Sequence, residues 1–243
     1  MLDQPTRWVS VVMPAYNELP NLRELVPAIR ASLASVPDVQ SEILVVVPSF
    51  SPEAELAEII ELGARPIVRG PSDTFGDAIR TGIAALAEAA QYVIVMDADG
   101  SHDPATIPRL LAAATDADVV VASRYVTGGS TDNSAILRAM SRSLNLAYRY
   151  VIGIHCKDIS TNYKMYRAAD LRRVKLTTSN FDIVEELMFR LKLLHGKGFT
   201  VREIPDHFSE RKFGVTKRRL GPFIISYFKT LAVLSWRSRK VER

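Results

Sequence analysis

Carboxylates crowd the end of one apolar run, in the segment YVIVMDADGSHDP of residues 92–104. Asp97 and Asp99 are two residues apart, and in an extended segment such side chains point the same way. Two carboxylates on one side suit a hard cation such as Mg²⁺ or Mn²⁺, which takes further ligands from water and substrate phosphates. The spacing therefore predicts that Asp97 and Asp99 bind a metal beside a diphosphate. Asp103 is interpreted instead as the cap of a helix beginning at Pro104.

The segments around these aspartates alternate between two kinds of pattern. Short runs rich in valine and isoleucine predict buried strands, at residues 8–14, 42–48, 65–69, 92–97 and 117–123. Longer stretches with apolar residues three and four apart predict helices, at residues 21–36, 52–63, 74–90 and 103–115. This order predicts an α/β domain with a parallel sheet and helices on both faces, whose ligands bind beyond the carboxyl ends of the strands. No G-x-G-x-x-G follows the first strand, which argues against a dinucleotide-binding fold.

Composition limits the class of protein and its compartment. The 243 residues are 47% hydrophobic and 24% charged, which is typical of one large soluble domain. The single cysteine, Cys156, excludes an internal disulfide framework, and no secretory leader is apparent, so we expect a cytoplasmic protein. The net charge of +4 is concentrated in residues 202–243 and indicates an anionic partner. Phosphates or a membrane surface fit better than nucleic acid, because no nucleic-acid-binding motif accompanies the charges.

The last segment, residues 220–243, combines an apolar stretch with basic residues. The stretch is too short to span a membrane, which needs roughly 20 residues, and Lys229 interrupts it. Tyr227 and Trp236 near its ends are typical of an amphipathic helix lying on an anionic leaflet. A helix packed on the domain, or a homodimer contact, is the alternative. We therefore predict a catalytic domain over residues 1–219 and an appended amphipathic helix, belonging to the same domain, over residues 220–243.

Five segments carry a resemblance to a known family, in the order VVMPAYNE, MDADGSHDP, ASRYVTGG, DISTNYKMYR and EIPDHFSERKFGVTK. Together they resemble the family 2 glycosyltransferases of GT-A fold, and among these the polyprenyl-phosphate sugar transferases of the dolichol-phosphate mannose synthase type. The resemblance implies a metal-dependent, inverting transfer of a mannose-like sugar from a nucleotide diphosphate sugar to a polyprenyl or dolichyl phosphate. Two alternatives stay open: transfer to a soluble hydroxyl acceptor, and a non-catalytic nucleotide-binding homologue.

The resemblance also assigns residues to the donor half of the site. Pro14, Tyr16 and Glu18 would line the nucleotide pocket. Arg211 and Lys217 match basic residues of a loop that folds over the donor diphosphate or the acceptor phosphate. A generic charged hairpin is the alternative for these two residues.

The acceptor half is assigned in the same way. Arg124 matches the family arginine that meets the acceptor phosphate, and Arg138 falls where a second is expected. Guanidinium groups suit this task because they are permanently charged and bind phosphate oxygens in a fork. The alternative for Arg138 is a solvated basic face of the predicted helix 134–152, to which we assign Arg142 and Arg149.

Two acidic positions complete the set. Asp158 matches an aspartate near the acceptor side, and Glu185 lies on a helix where the family has a glutamate facing the site. Successive helical residues differ by about 100° in direction, so one of Glu185 and Glu186 should face inward and the other outward. We assign the inward position to Glu185; an exposed glutamate on an ordinary amphipathic helix is the alternative. If the acceptor is a hydroxyl, Asp158 and Glu185 are the candidate general bases.

The donor half departs from the family pattern at two places. Val47 and Pro48 stand where the family has an acidic pair that recognises the nucleotide, and Asp73-Thr74 replaces the usual Lys-Gly. Losing a carboxylate that accepts a base N–H costs on the order of 1 to 3 kcal/mol unless another group replaces it. We expect an altered donor nucleotide, or replacement by Asp73 or a backbone carbonyl; a protein that no longer turns over is the third possibility.

Overall fold

A computed structural model of the chain describes residues 7–211 and contains one large sheet between two layers of helices. The strands in chain order are β1 (Arg7–Pro14), β2 (Val39–Val47), β3 (Arg65–Val68), β4 (Tyr92–Val95), β5 (Val119–Ser123), β6 (Ser130–Thr131), β7 (Lys164–Arg167), β8 (Val201–Pro205) and β9 (His207–Phe208). The helices are α1 (Leu19–Ala34), α2 (Glu53–Glu61), α3 (Phe75–Ala84), α4 (Ile107–Ala112), α5 (Ala135–Ile152), α6 (Ala168–Arg173) and α7 (Ile183–His195).

The large sheet has seven strands in the order β3-β2-β1-β4-β7-β5-β8. All five predicted strands are present and run parallel to one another, as expected. The strand β7 is the exception, because it lies antiparallel between β4 and β5. The loop between α5 and β7 ends beside Asp97, at the carboxyl ends of the parallel strands. The strand β7 therefore begins at that edge and runs in the opposite direction. The fold is thus α/β with a mostly parallel sheet, and β6 and β9 form a separate pair at its edge.

Alternation along the strands divides the core into two layers. Val9, Val11 and Met13 of β1 face the layer that α1 and α4 cover, whereas Val12 faces the layer that α3, α5, α6 and α7 cover. Because both faces are covered, the strands are apolar nearly throughout rather than alternately polar. This leaves the ends of the strands as the place for polar side chains.

Two predicted helices end earlier than their apolar patterns suggested. The pattern 74–90 forms α3 only as far as Ala84, and Arg172 then donates to the carbonyl of Ala87 in the following turn. The pattern 103–115 is divided into two 3₁₀ turns around the short helix α4. Asp103 caps the first of these turns, as predicted, by accepting from the backbone N–H of Ala105 at 2.9 Å.

The predicted boundary at residue 219, the helix over 220–243 and the site residue Lys217 lie outside the described residues. Within residues 7–211, no helix combines the length and apolar character needed to cross a membrane.

Candidate functional site

The polar side chains singled out in the sequence gather beyond the carboxyl ends of the parallel strands. Asp97 and Asp99 follow β4, Tyr16 and Glu18 follow β1, and Arg124 follows β5. This edge is where an open α/β sheet binds ligands, because the loops after neighbouring parallel strands diverge there. The order of the strands therefore brings these five residues together from separate parts of the chain.

Two residues, His102 and Asn162, hold the loop after β4 in place at Asp97. His102 is buried, and its Nδ1 accepts from the backbone N–H of Asp97 at 3.0 Å. The side-chain amide of Asn162 donates to Oδ1 of Asp97 at 2.9 Å. The ring of His102 also stacks on Tyr163, with 4.9 Å between the ring centroids. These contacts fix the direction of the Asp97 carboxylate before any ligand binds.

The Asp99 carboxylate is ionised at neutral pH despite its burial. Burial alone would raise its pKa, but the Ser101 hydroxyl at 2.5 Å, the nearby His102 and Arg211 all favour the charged form. Their combined effect holds the pKa of Asp99 below its usual range. The carboxylate therefore offers a negative charge to a cation or a guanidinium.

Arg211 links the loops that follow β1 and β4. Its Nη1 donates to Oε1 of Glu18 at 3.1 Å, and its Nη2 donates to Oδ2 of Asp99 at 3.0 Å. Asn21 donates to the other oxygen of Glu18 at 2.7 Å, and the backbone N–H of Ser209 donates to the carbonyl of Ser101, in the loop after β4, at 3.0 Å. The start of the predicted basic loop thus lies against the carboxylates, on the donor side of the site.

The expected nucleotide pocket has an aromatic wall. Tyr16 and Phe50 meet edge to face, with 5.6 Å between their ring centroids, and both are exposed. Pro14, also assigned to this pocket, is buried at the end of β1 opposite Val46. The exposed aromatic faces are suited to stacking against a nucleobase.

The carboxylate of Asp73 lies beside the loop after β2, where the acidic pair expected from the family is missing. Its Oδ1 accepts from the backbone N–H of Ser49 and its Oδ2 from the Ser49 hydroxyl, both at 2.7 Å. The two bonds to Ser49 hold the pKa of Asp73 below its usual range. A carboxylate from the loop before α3 is therefore present beside the loop after β2.

Arg69 is a buried cation beneath this pocket. Its Nη2 donates to the carbonyls of Ala15 and Val46, the latter at 3.0 Å, and its Nη1 donates to the carbonyl of Asp73 at 3.3 Å. Burial lowers the pKa of Arg69, and the nearby Asp73 opposes that effect. The guanidinium ties the ends of β1 and β2 to the loop that carries Asp73.

Arg124 and Asp158 form a buried salt bridge on the acceptor side. Asp158 accepts from Nε of Arg124 at 2.8 Å, from Nη2 at 2.6 Å and from the Arg124 backbone N–H at 2.8 Å. The Asp158 side chain is fully buried, and that of Arg124 is 10% exposed. Because both oxygens of Asp158 are held by Arg124, the geometry favours Asp158 as the group that orients the arginine over Asp158 as a proton acceptor.

The second predicted acceptor arginine lies on α5, the helix that the first arginine contacts. Arg138 is exposed in the first turn of α5, whereas Arg124 reaches α5 further along, where its Nη2 lies 3.5 Å from the Ser141 hydroxyl. Arg142, which the sequence assigned to a solvated face, lies over the ring of Tyr125 at 5.3 Å, and Arg124 lies over the same ring at 5.1 Å. Arg142 is thus closer to Arg124 than the pattern suggested.

The expectation for the paired glutamates of α7 was half wrong. Glu185 faces inward as expected, but Glu186 is fully buried as well. Burial alone would raise the pKa of Glu186, yet the N–H groups and hydroxyls of Thr177 and Thr178, with Arg190, hold it below its usual range. The segment before α7 wraps around the helix, so this turn has no solvent-facing side.

Sequence reasoning missed Asn162, Phe50, Arg69 and Lys164. Lys164 is fully buried, and its Nζ donates to the carbonyl of Ile159 at 2.9 Å and to that of Thr161. The sequence offered no clear signal for it, because the four-residue strand KMYR carries a charged residue at each end. Asn162 and Phe50 could not have been paired with Asp97 and Tyr16 from the sequence, because each partner is distant along the chain. The same holds for Arg69 and the carbonyls of Ala15 and Val46.

The donor atoms at the strand edge suit a divalent cation. Asp97 and Asp99 offer partly accessible carboxylate oxygens, Asp99 is held in its charged form, and a cationic guanidinium already contacts it. Hard oxygen donors of this kind favour Mg²⁺ or Mn²⁺ over softer metals. The residues present therefore fit the metal that the sequence predicted.

Comparison with known proteins gives one matching family and several curated relatives. The family model described as Glycosyl transferase family 2 matches residues 10–175. Undecaprenyl-phosphate mannosyltransferase of Micrococcus luteus is 33% identical over 88% of this chain and 88% of its own. Polyprenol monophosphomannose synthase of Mycolicibacterium smegmatis is 31% identical over 88% of this chain and 82% of its own.

Solved structures agree on the fold. Glucosyl-3-phosphoglycerate synthase from Mycobacterium tuberculosis, in complex with Mn²⁺, UDP and glucosyl-3-phosphoglycerate, superposes with a TM-score of 0.67 over 95% of this chain and 80% of its own. The same protein has also been crystallised with Mg²⁺ and UDP. At 18% identity the likeness shows the fold alone.

Proposed function

Because the chain belongs to glycosyl transferase family 2, we propose that it moves a mannose-like sugar from a nucleotide diphosphate sugar to a polyprenyl phosphate. The activities after which its two relatives are named support the sugar and the lipid acceptor. The observation that carries the proposal is the meeting of two charge patterns at one edge of the sheet. Carboxylates suited to a metal and a diphosphate follow β4, and an oriented arginine suited to a second phosphate follows β5.

The donor half would be held by groups of both charges. Asp97 and Asp99 would hold Mg²⁺ or Mn²⁺, which supplies neutralising charge for the departing diphosphate when bound. Arg211 is placed to move from Asp99 onto a phosphate oxygen, because its guanidinium already lies at that carboxylate. Tyr16 would stack on the nucleobase, and Glu18 would hold Arg211 at the pocket.

The base end of the pocket would depend on Asp73. Its carboxylate lies where the acidic pair of the family is replaced by Val47 and Pro48, and it fixes the loop that carries Phe50. We therefore assign base recognition to Asp73 together with Tyr16 and Phe50. This arrangement favours the alternative in which Asp73 replaces the missing acidic pair over the alternative in which the protein no longer turns over.

In the acceptor half, Arg124 would bind the acceptor phosphate. Arg138 would be a second contact for the acceptor, in the first turn of α5. A phosphate monoester is an anionic nucleophile near neutral pH, so the reaction needs no strong general base. One phosphate oxygen would form a bond to the anomeric carbon while the bond from that carbon to the diphosphate breaks, and the nucleoside diphosphate would leave with the electron pair. Attack opposite the leaving group inverts the configuration. Glu185, which is fully buried, would then act on charge balance within the protein rather than on the acceptor.

The surface of α5 supports a peripheral position on an anionic membrane. Four large apolar side chains of this helix are exposed: Ile136, Leu137, Leu146 and Tyr150. The helix contains three arginines and no acidic residue. An exposed apolar face beside unopposed positive charge is typical of a helix lying on anionic lipid. It would bring the acceptor phosphate to the side of the protein where Arg124 lies.

The test is transfer of radiolabelled sugar from a panel of nucleotide sugars to undecaprenyl phosphate, with and without Mn²⁺. We expect lipid-linked product only with the metal, and a loss of at least about 100-fold in Asp99→Asn, since one removed electrostatic group commonly costs that much. Asp38→Asn is the matched control, because Asp38 is exposed far from the site and asparagine tolerates its positive φ of 57°. Undiminished transfer in Asp99→Asn, or product only on a soluble hydroxyl acceptor, would contradict the proposal.

A further inference from the structure

A five-residue segment crosses the floor of the site between α5 and β7. Residues 158–162 leave the sheet edge beside Arg124 and reach the edge beside Asp97. Four of the five residues are buried, and Ser160 is partly buried. The segment therefore lies in contact with both halves of the site.

At its first end the segment holds Arg124. Asp158 accepts three N–H donors of Arg124, and the hydroxyl of Ser160 accepts a further bond from Nη2 at 3.1 Å. Ser160 is itself fixed, because its backbone N–H donates to Oδ1 of Asn145 on α5 at 3.1 Å. The direction of the Arg124 guanidinium thus depends on where this end of the segment lies.

At its other end the segment holds Asp97. The amide of Asn162 donates to Oδ1 of Asp97, and Asn162 is buried. A hydrogen bond from a neighbouring group to a metal-binding carboxylate orients that carboxylate, and its loss typically weakens metal binding about 10- to 100-fold. Asn162 is therefore placed to act on the metal through Asp97 without contacting it.

The middle of the segment is anchored from below. The Nζ of Lys164 donates to the carbonyl of Ile159 at 2.9 Å and to the carbonyl of Thr161. The carboxylate of Glu203 accepts from the backbone N–H groups of Lys157 at 2.9 Å and Asp158 at 3.1 Å. Because this short, buried piece of backbone is bonded at both ends and in its middle, a displacement at one end has a packed, hydrogen-bonded route to the other.

We propose that residues 158–162 couple the two halves of the site, so that metal bound at the Asp97 end strengthens phosphate binding at the Arg124 end. Asn162 is the positioning residue for Asp97, Asp158 and Ser160 are the positioning residues for Arg124, and Lys164 holds the segment between them. This coupling rests on the proposed function, because it takes Asp97 as a metal ligand and Arg124 as the acceptor-phosphate contact.

The coupling is measured with two probes on the full chain in detergent micelles. Binding of Mn²⁺ is followed by electron paramagnetic resonance, and binding of farnesyl phosphate by titration calorimetry, each with and without the other ligand. Coupling of this kind is commonly 5- to 150-fold and must be equal in both directions. We expect the wild-type protein to bind farnesyl phosphate at least about fivefold more tightly when Mn²⁺ is saturating.

Three variants separate coupling through the segment from simple attraction between the metal and the phosphate. Asn162→Ala should bind Mn²⁺ about tenfold more weakly and lose most of the coupling factor, while its affinity for farnesyl phosphate without metal stays within about twofold of wild type. Ser160→Ala should weaken farnesyl phosphate and leave Mn²⁺ binding alone unchanged. Asn180→Ala, which removes an exposed amide of the same type, should match wild type in every measurement.

The outcomes are distinct. A coupling factor in Asn162→Ala equal to that of wild type would overturn the proposal, because attraction through space survives the loss of one amide. Wild-type protein that binds both probes independently would overturn it too, while leaving the proposed function standing. Wild-type protein that binds neither probe would overturn the proposed function, and the coupling with it.

Discussion

Removal of the Asp158 charge should destabilise the protein more than any exposed ion pair could. In Asp158→Asn the side chain keeps nearly the same shape but no longer balances the Arg124 guanidinium, which is only 10% exposed. Three N–H donors of Arg124 contact this carboxylate at 2.6 to 2.8 Å. Breaking a buried pair by removing one partner typically costs about 3 to 5 kcal/mol, because an uncompensated charge stays buried. We expect a loss of that size in the free energy of unfolding.

The assay is urea denaturation of Asp158→Asn, Arg124→Met and the double variant. The double variant should be more stable than the sum of the single losses predicts, by about 2 to 3 kcal/mol, because it leaves no unpaired charge. Asp132→Asn is the control, since Asp132 and His207 form a half-exposed pair at 3.5 Å whose loss should cost about 1 kcal/mol or less. A loss in Asp158→Asn as small as that of the control would refute the reasoning.

Three further changes have defined outcomes. Burial lowers the pKa of Lys164 from 10.5 to about 8, so between these pH values the unfolded chain binds more protons than the folded one. The free energy of unfolding should therefore rise by about 2 kcal/mol from pH 7.5 to 9.5, as measured by urea denaturation. Lys164→Met should lack this rise, and an equal rise in that variant would contradict the prediction. Gly76→Ala places a Cβ 2.3 Å from the carbonyl oxygen of Thr178, so thermal and urea unfolding should show a loss of about 1 to 3 kcal/mol, and an unchanged midpoint would count against the packing. Asp73→Asn should weaken nucleoside diphosphate binding about tenfold in calorimetry, because the loop at Ser49 loses its charged acceptor; equal affinity would exclude Asp73 from base recognition.

The strands were predictable because their burial on both faces leaves a continuous apolar signal. The antiparallel strand β7 carried no such signal, since KMYR contains a lysine and an arginine. Its lysine can be buried because the carbonyls of the preceding loop accept hydrogen bonds from its ammonium group. The prediction for Glu186 was wrong for a related reason. Helical periodicity assumes that one side of a helix faces solvent, but Thr177 and Thr178 cover that side of α7 and bind the Glu186 carboxylate.

The site was predictable where local spacing carried the chemistry and unpredictable where distant residues meet. Asp97 and Asp99 could be assigned because they follow a strand directly, and that position fixes the edge of the sheet at which they lie. The contacts of Asn162 with Asp97 and of Arg211 with Glu18 join residues 65 and 193 positions apart. Such pairs follow from the order of strands in the sheet, which the apolar patterns do not specify.

The guanidinium of Arg211 gives the site a counter-ion that the chain itself supplies. Because its Nη2 is bonded to Oδ2 of Asp99, a divalent cation that binds through this oxygen must displace it. Metal binding would then exchange one cation for another at this carboxylate, and it would free the Arg211 guanidinium. A diphosphate arriving with the metal offers that group a new anion at once. Loading of the donor would thereby transfer the Arg211 side chain from Asp99 to the substrate.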